Sequence, residues 1–272
     1  MISIGQLRIG TMVAGFAFAL QAVPQQARAA GDVLIIADEM PQMQLLVKML
    51  ASRANTKADL INQTDAPPTI TGYKAVFAFV HHALLESAEK PMVDYVNSGG
   101  KLIVLHHSIS WAREKNKYWF PLLGMHLTPP GDPEQGLYKY VAPVTYTVVN
   151  LAPDNYITSH NVKWEGKTTY KSSDLGTPEQ EYPSFTLENS EVYLNHVFTD
   201  GKEKTILMGF KWQDPKTGKV WMQDRAGWYK RAQKGWIIYL QPGHNITDFE
   251  NGTYSQIVLN ALTANMKDLH AH

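Results

Sequence analysis

The residues best suited to chemistry in this sequence are histidines placed where apolar runs end. His81-His82 follows Ala75–Val80, and His106-His107 follows Lys101–Leu105. Imidazole binds metals and transfers protons near neutral pH. Neighbouring strands of a parallel sheet deliver their C-terminal residues to one crevice, so two such pairs can converge although they are far apart in the chain. Gln241-Pro-Gly-His244 repeats the arrangement after Trp236–Leu240, and Gly243 lets the backbone turn sharply and expose His244. Glu191-Val-Tyr193 opens another strand-like stretch; its carboxylate could act as a base, bind sugar hydroxyls or fix an imidazole tautomer. Each motif alone also reads as ordinary structure: a hydrogen-bonded histidine, a Pro-Gly turn, a solvated glutamate, a packed tyrosine. Their repetition at strand ends is what favours a site.

Trp111, Tyr118, Trp119 and Phe120 cluster soon after His107, and more tryptophans follow from Trp164 to Trp236. Aromatic faces stack on the C–H faces of sugar rings, but indoles also fill cores, and spacing does not separate the two roles. Arg225, Lys230 and Arg231 flank Trp228-Tyr229 and could meet an acidic sugar; a solvated charged face is the simpler account.

Several functions are excluded. The chain has no cysteine, so it has no disulfide, thiolate nucleophile or Cys-ligated metal. Any metal must sit on His, Asp, Glu or amide oxygen. A divalent ion on His82, His107 or His244 is admissible as a cofactor, although the spacing is not a metal signature. Basic and acidic residues balance at 25 each, which gives nucleic acid no electrostatic foothold. Gly-x-Gly-x-x-Gly, the phosphate-binding Gly-Lys-Ser/Thr loop and the Gly-x-Ser-x-Gly elbow are all missing.

The elements that must position these residues are readable in outline. Asp32–Ala37, Ala75–Val80 and Lys101–Leu105 are short, β-branched apolar runs, as expected of strands buried on both faces. Between them, residues 41–53 and 88–98 carry helical spacing, with Ser87 as a candidate N-cap and Gly99-Gly100 as a stop. This alternation predicts right-handed βαβ crossovers and a parallel sheet. The second half is richer in strands, at Tyr138–Val149, Glu191–Thr199, Lys204–Trp212, Val220–Gln223 and Gly235–Leu240, with a late helix from Tyr254 to Met266. Residues 150–190, with Pro153, Pro178 and Pro183, read as a long loop.

Near the N-terminus, Arg8 precedes an apolar stretch and then Ala27-Arg28-Ala29, the small-x-small pattern of a signal-peptidase site. About 12 apolar residues span about 18 Å as helix, short of the ~30 Å hydrocarbon core. The expectation is a signal peptide over 1–29, cleaved after Ala29, and one domain over 30–272, periplasmic or secreted, with no membrane anchor in the mature form.

The sequence resembles the ThuA-like (trehalose utilisation) family. The resemblance rests on Val93-Asp-Tyr-Val-Asn-Ser-Gly-Gly-Lys-Leu-Ile-Val-Leu-His-His107, Tyr118-Trp-Phe-Pro-Leu-Leu-Gly124, Ser190-Glu-Val-Tyr193 and Gly235-Trp-Ile-Ile-Tyr-Leu-Gln-Pro-Gly-His244, in that order. It implies an α/β fold of the flavodoxin-like, class I glutamine amidotransferase-like kind: a parallel sheet flanked by helices, here with a β-rich extension and without the amidotransferase nucleophile. It also implies carbohydrate metabolism, with a site at His107, Glu191, Tyr193 and His244. Ser190 stands where the family usually has Asp. Together these readings point to a carbohydrate hydrolase or lyase acting on a keto-glycoside or uronic-acid sugar. His107, His244 and Glu191 are its expected catalytic residues, and Tyr193, His82, Trp111 and Gln241 its expected substrate-binding residues. The alternative is a non-catalytic periplasmic carbohydrate-binding protein.

Overall fold

The computed structural model describes residues 31–201, 203–267 and 269; the expected signal peptide lies outside them. Along the chain run β1 (Val33–Ala37), α1 (Met40–Ala54), β2 (Ala58–Asn62), β3 (Ala75–Phe79), α2 (Glu86–Asn97) and β4 (Lys101–Leu105). Next come α3 (Trp119–Leu123), β5 (Met125–Leu127), β6 (Lys139–Asn150), α4 (Tyr156–Ser159), β7 (Gly166–Ser172), β8 (Thr177–Leu194) and β9 (His196–Phe198). The last are β10 (Thr205–Gln213), β11 (Val220–Ala232), β12 (Gly235–Leu240), α5 (Ile246–Glu250) and α6 (Gly252–Thr263).

Ten of the strands form one sheet in the order β2-β1-β3-β4-β12-β11-β10-β6-β8-β7, and β5 pairs separately with β9. The first five are parallel and follow the doubly wound order 2-1-3-4-5, with β12 in fifth place. From β11 onward every pairing is antiparallel. Alternation along β1 feeds two cores. Val33, Ile35 and Ala37 pack on the face covered by α1, α5 and α6, while Leu34 and Ile36 pack on the face of α2 and α3. Burial on both faces explains why these strands read as unbroken apolar runs. Backbone approach is closest at Gly235, where an added Cβ would lie 2.3 Å from the Gly100 carbonyl oxygen, so β12 can enter the sheet beside the end of α2 only with glycine there.

The helical and parallel half follows the expectation closely, with one shift in α2. Its N-cap is Leu85 rather than Ser87, and Pro91 lies inside the helix. The stretch 150–190 is not a loop. It holds α4, β7 and most of β8. Its strands form the sheet edge, where alternation runs between polar residues facing solvent and a few buried ones, so the apolar period that marks a core strand is absent. Pro178 lies next to the first residue of β8 and Pro183 faces Lys167 of the edge strand, positions a strand tolerates. Glu191 accordingly lies near the end of a long strand rather than opening a new one; the chain breaks at Asn195, whose φ is 62°, before β9. The late helix spans Gly252–Thr263, and β11 continues well past Gln223.

Candidate functional site

The parallel strands end in step. Ala37 of β1 is level with Phe79 of β3, and Leu105 of β4 with Leu240 of β12. The segments beyond these strand ends therefore gather at one rim: Asp38-Glu39, His81-His82, His106-His107 and Gln241 to His244. Glu191 arrives differently. β8 is five places from β4 in the sheet, ~24 Å for a flat sheet, yet Glu191 Oε2 lies 3.0 Å from His106 Nε2. The antiparallel half must curl over the rim. Register shifts between Val141 and Tyr146 on β6, opposite Ser190 and Val192, supply the bend.

His106 is the centre of the cluster, whereas the family resemblance points to its neighbour. It sits on a short 3₁₀ turn, His106–Ile109, with a left-handed φ of 37°, an unusual conformation for a non-glycine residue. Its Nδ1 faces the Gln241 carbonyl, which can only accept, so Nδ1 carries the proton and Nε2 is bare in the neutral ring. That bare nitrogen is 3.3 Å from His244 Nδ1. His107 Nε2 is 3.2 Å from the same His244 atom and 3.5 Å from Glu191 Oε2. His244 Nδ1 lies 3.5 Å from Glu191 Oε2, and the Tyr193 hydroxyl donates to that oxygen at 2.6 Å.

A second layer holds these groups. Glu39 Oε2 lies 3.2 Å from His107 Nδ1, and Glu39 Oε1 lies 2.7 Å from His81 Nδ1. Asp38 accepts from the His81 and His82 backbone amides. Asp248 Oδ2 accepts from the amides of Gly243 and His244 and from Ser190 Oγ, fixing the turn that carries His244. Ser190, the departure from the family pattern, thus ties β8 to that turn.

Charge follows from burial and pairing. Burial, reinforced by the neighbouring His106, pushes the His107 imidazole down to about 3, so it is neutral near pH 7. Burial would raise Glu39, but hydrogen bonds from His107 and His81 outweigh it and hold the carboxyl at about 2. Glu191 behaves in the same way and stays well below the usual carboxylate range, with His106 and His244 outweighing burial. Burial lowers His244, but Glu191 wins and its imidazole rises above the ordinary value.

A cavity of about 240 Å³ opens onto the cluster, lined by His81, His107, Trp111, Tyr138, Glu191 and Tyr193, among others. The expected residues thus divide. His107, Glu191, Tyr193 and Trp111 line the cavity, and His244 adjoins it through the cluster. Gln241 has a fully buried side chain and acts through its carbonyl. His82 is largely exposed and held by Asp38, outside the groups that could share a metal; it is His81 that stacks on His107. Trp119 and Trp228 are core residues, and Lys230 and Arg225 pair with Asp200 and Asp174. Sequence reasoning missed Glu39, Asp248, Tyr138 and the central role of His106. Glu39 had a signal: it follows β1 as the histidine pairs follow β3 and β4.

Fold and site together define a class I glutamine amidotransferase-like α/β protein whose strand-end crevice holds imidazoles and a carboxylate. The chain belongs to the ThuA family, described as trehalose utilisation, whose model matches residues 37–263. No curated protein matches it. Similar solved structures include a ThuA-like protein from Bacteroides uniformis ATCC 8492, 17% identical with a TM-score of 0.55 over 88% of this chain and 93% of that one. Another, from Parabacteroides merdae ATCC 43184, is 12% identical with a TM-score of 0.58, covering 85% and 88%. A cytoplasmic protein of Salmonella typhimurium LT2 is 15% identical with a TM-score of 0.55, covering 85% and 98%. At these identities the likeness is one of fold.

Proposed function

We propose that this protein is an exported carbohydrate-processing enzyme that removes an acidic C–H proton next to a carbonyl or carboxylate of a sugar. Keto-glycosides and uronic-acid sugars are the substrate classes whose cleavage begins in this way. One observation carries the reading: His81, its side chain 46% exposed, lines the cavity, is held by Glu39 through Nδ1, and leaves its other nitrogen to accept a proton. His106, His107, His244 and Glu191 pack against one another beside it. They form the polar floor of the cavity. Trp111 offers an aromatic wall to the sugar ring. Family membership supports carbohydrate as the substrate class.

The test is product formation from 3-keto glycosides and uronic-acid oligomers, with His81→Ala beside the parent. The expected outcome is a loss in kcat of about 100-fold or more with an unchanged melting curve. Binding without product over long incubation would show a carbohydrate-binding protein instead, and full activity in His81→Ala would remove the assigned base.

A further inference from the structure

We propose that His106 Nε2, His107 Nε2, His244 Nδ1 and Glu191 Oε2 are the ligands of one divalent transition-metal ion of the Zn²⁺ class. His106 faces the Gln241 carbonyl through Nδ1 and spends its single neutral-ring proton there, and His107 turns its Nδ1 to the Glu39 carboxylate, 3.2 Å away. Their Nε2 atoms therefore keep free lone pairs, and both point at a carboxylate oxygen and a third imidazole nitrogen. Five of the six distances among the four atoms are 3.0, 3.2, 3.3, 3.5 and 3.5 Å. Hydrogen bonding accounts for few of these contacts. One proton on His244 Nδ1 can satisfy one of its three neighbours, and the single Tyr193 hydroxyl proton, 2.6 Å from Glu191 and 3.5 Å from His106 Nε2, can serve only one of those two. With the imidazoles neutral, the other approaches set lone pair against lone pair.

A cation at the centre turns every one of them into an attraction. With metal–ligand bonds of about 2.0–2.2 Å, tetrahedral ligand atoms stand about 3.3–3.6 Å apart, close to the spacing observed. The surroundings match a metal's outer shell as well. His106 donates its far N–H to a carbonyl, the far nitrogen of His107 lies 3.2 Å from a carboxylate, and the ligating carboxylate is itself hydrogen-bonded by Tyr193. The left-handed backbone at His106 is the strain needed to aim two consecutive imidazoles at one point. Three nitrogens and one oxygen favour Zn²⁺ over the oxygen-seeking Mg²⁺ or Ca²⁺. The catalytic consequence rests on the proposed function: a substrate oxygen joining as a fifth ligand would be polarised for removal of the neighbouring proton by His81.

The experiment is a calorimetric titration of chelator-treated full chain with ZnCl₂, metal counting after gel filtration, and the visible spectrum of the Co²⁺-loaded protein. Expected are one Zn²⁺ per chain and the intense bands of tetrahedral Co²⁺. Affinity should fall more than about 100-fold in His244→Ala and Glu191→Gln, and about 10-fold in Glu39→Gln; it should be unchanged in His126→Ala, a histidine outside the cluster. Absence of Zn²⁺ binding, a weak octahedral Co²⁺ spectrum, or unchanged affinity in both ligand variants would overturn the site. The Co²⁺ spectrum decides the matter even if a variant fails to fold. Zn²⁺ bound at this site without turnover of any sugar removes the enzymatic reading and keeps the metal; turnover by metal-free protein keeps the enzymatic reading and removes the metal's part in it.

Discussion

His81 lies flat against His107, with ring centroids 4.1 Å apart and planes 12° from parallel, and a single carboxylate, Glu39, reaches both rings. One ring is half in solvent and the other is sealed in the cluster. Glu39 therefore couples the proposed proton acceptor, His81, to the polar floor, and it does so from the turn after β1.

Replacing Glu39 by Gln leaves the shape of this linkage but removes the charge that assigns both Nδ1 protons. The expected result is a fall in kcat of about 10- to 100-fold with KM changed far less, since the residue orients groups rather than binding sugar. Steady-state kinetics on any substrate that is turned over will show it. A pure KM effect would mean that Glu39 contacts the sugar directly.

Asp248 is buried and accepts from two backbone amides and the Ser190 hydroxyl. Asp248→Ala leaves those donors without their acceptor and frees the His244 turn. A loss of about 3 kcal/mol in urea unfolding is expected, together with a large loss of activity. A loss below about 1 kcal/mol would show that the turn holds itself.

His196 is fully buried against Tyr138 and Tyr193, and burial, aided by the charge of Arg225, pushes its imidazole down to about 3. Between that value and the ordinary one near 6.5, the unfolded chain holds a proton that the folded chain does not. Stability is therefore greatest above pH 6.5 and declines as pH falls towards 3, by up to about 4 kcal/mol from this group. His196→Phe, which keeps a flat ring in the stack, should flatten that slope in denaturant titrations at stepped pH. An unchanged slope would assign the acid sensitivity elsewhere.

The proposed export, with cleavage after Ala29, would set the mature N-terminus at Ala30. Mass spectrometry of the periplasmic or secreted fraction from cells producing the full chain should find it there. A chain retaining residues 1–29 in the cytoplasm would remove the signal reading and leave the site chemistry untouched.

The parallel half was legible in the sequence because its signals are local. β1, β3, β4 and β12 are apolar on both faces, so they stand out as runs, and the helices between them keep a 3.6-residue period. The edge hairpin β7–β8 was not legible, because a strand that leaves much of its surface to solvent carries too few apolar residues to show alternation, and its prolines mimic a loop. Family motifs named His107 and not His106, since neighbouring histidines cannot be ranked until the backbone dihedral that aims them is known.

From its residues alone, the chain determined that reactive side chains would sit at the ends of buried strands, because apolar runs must enter a core and the polar residues after them must leave it at the rim. The tertiary structure decided which of those residues meet. Glu191 reaches His106 only because bulged strands carry the far side of the sheet back over the rim, and His81 rather than His82 faces inward only because Asp38 and Glu39 hold the turn after β3. Those are contacts between residues distant in the chain, set by sheet curvature and packing, which no local spacing encodes.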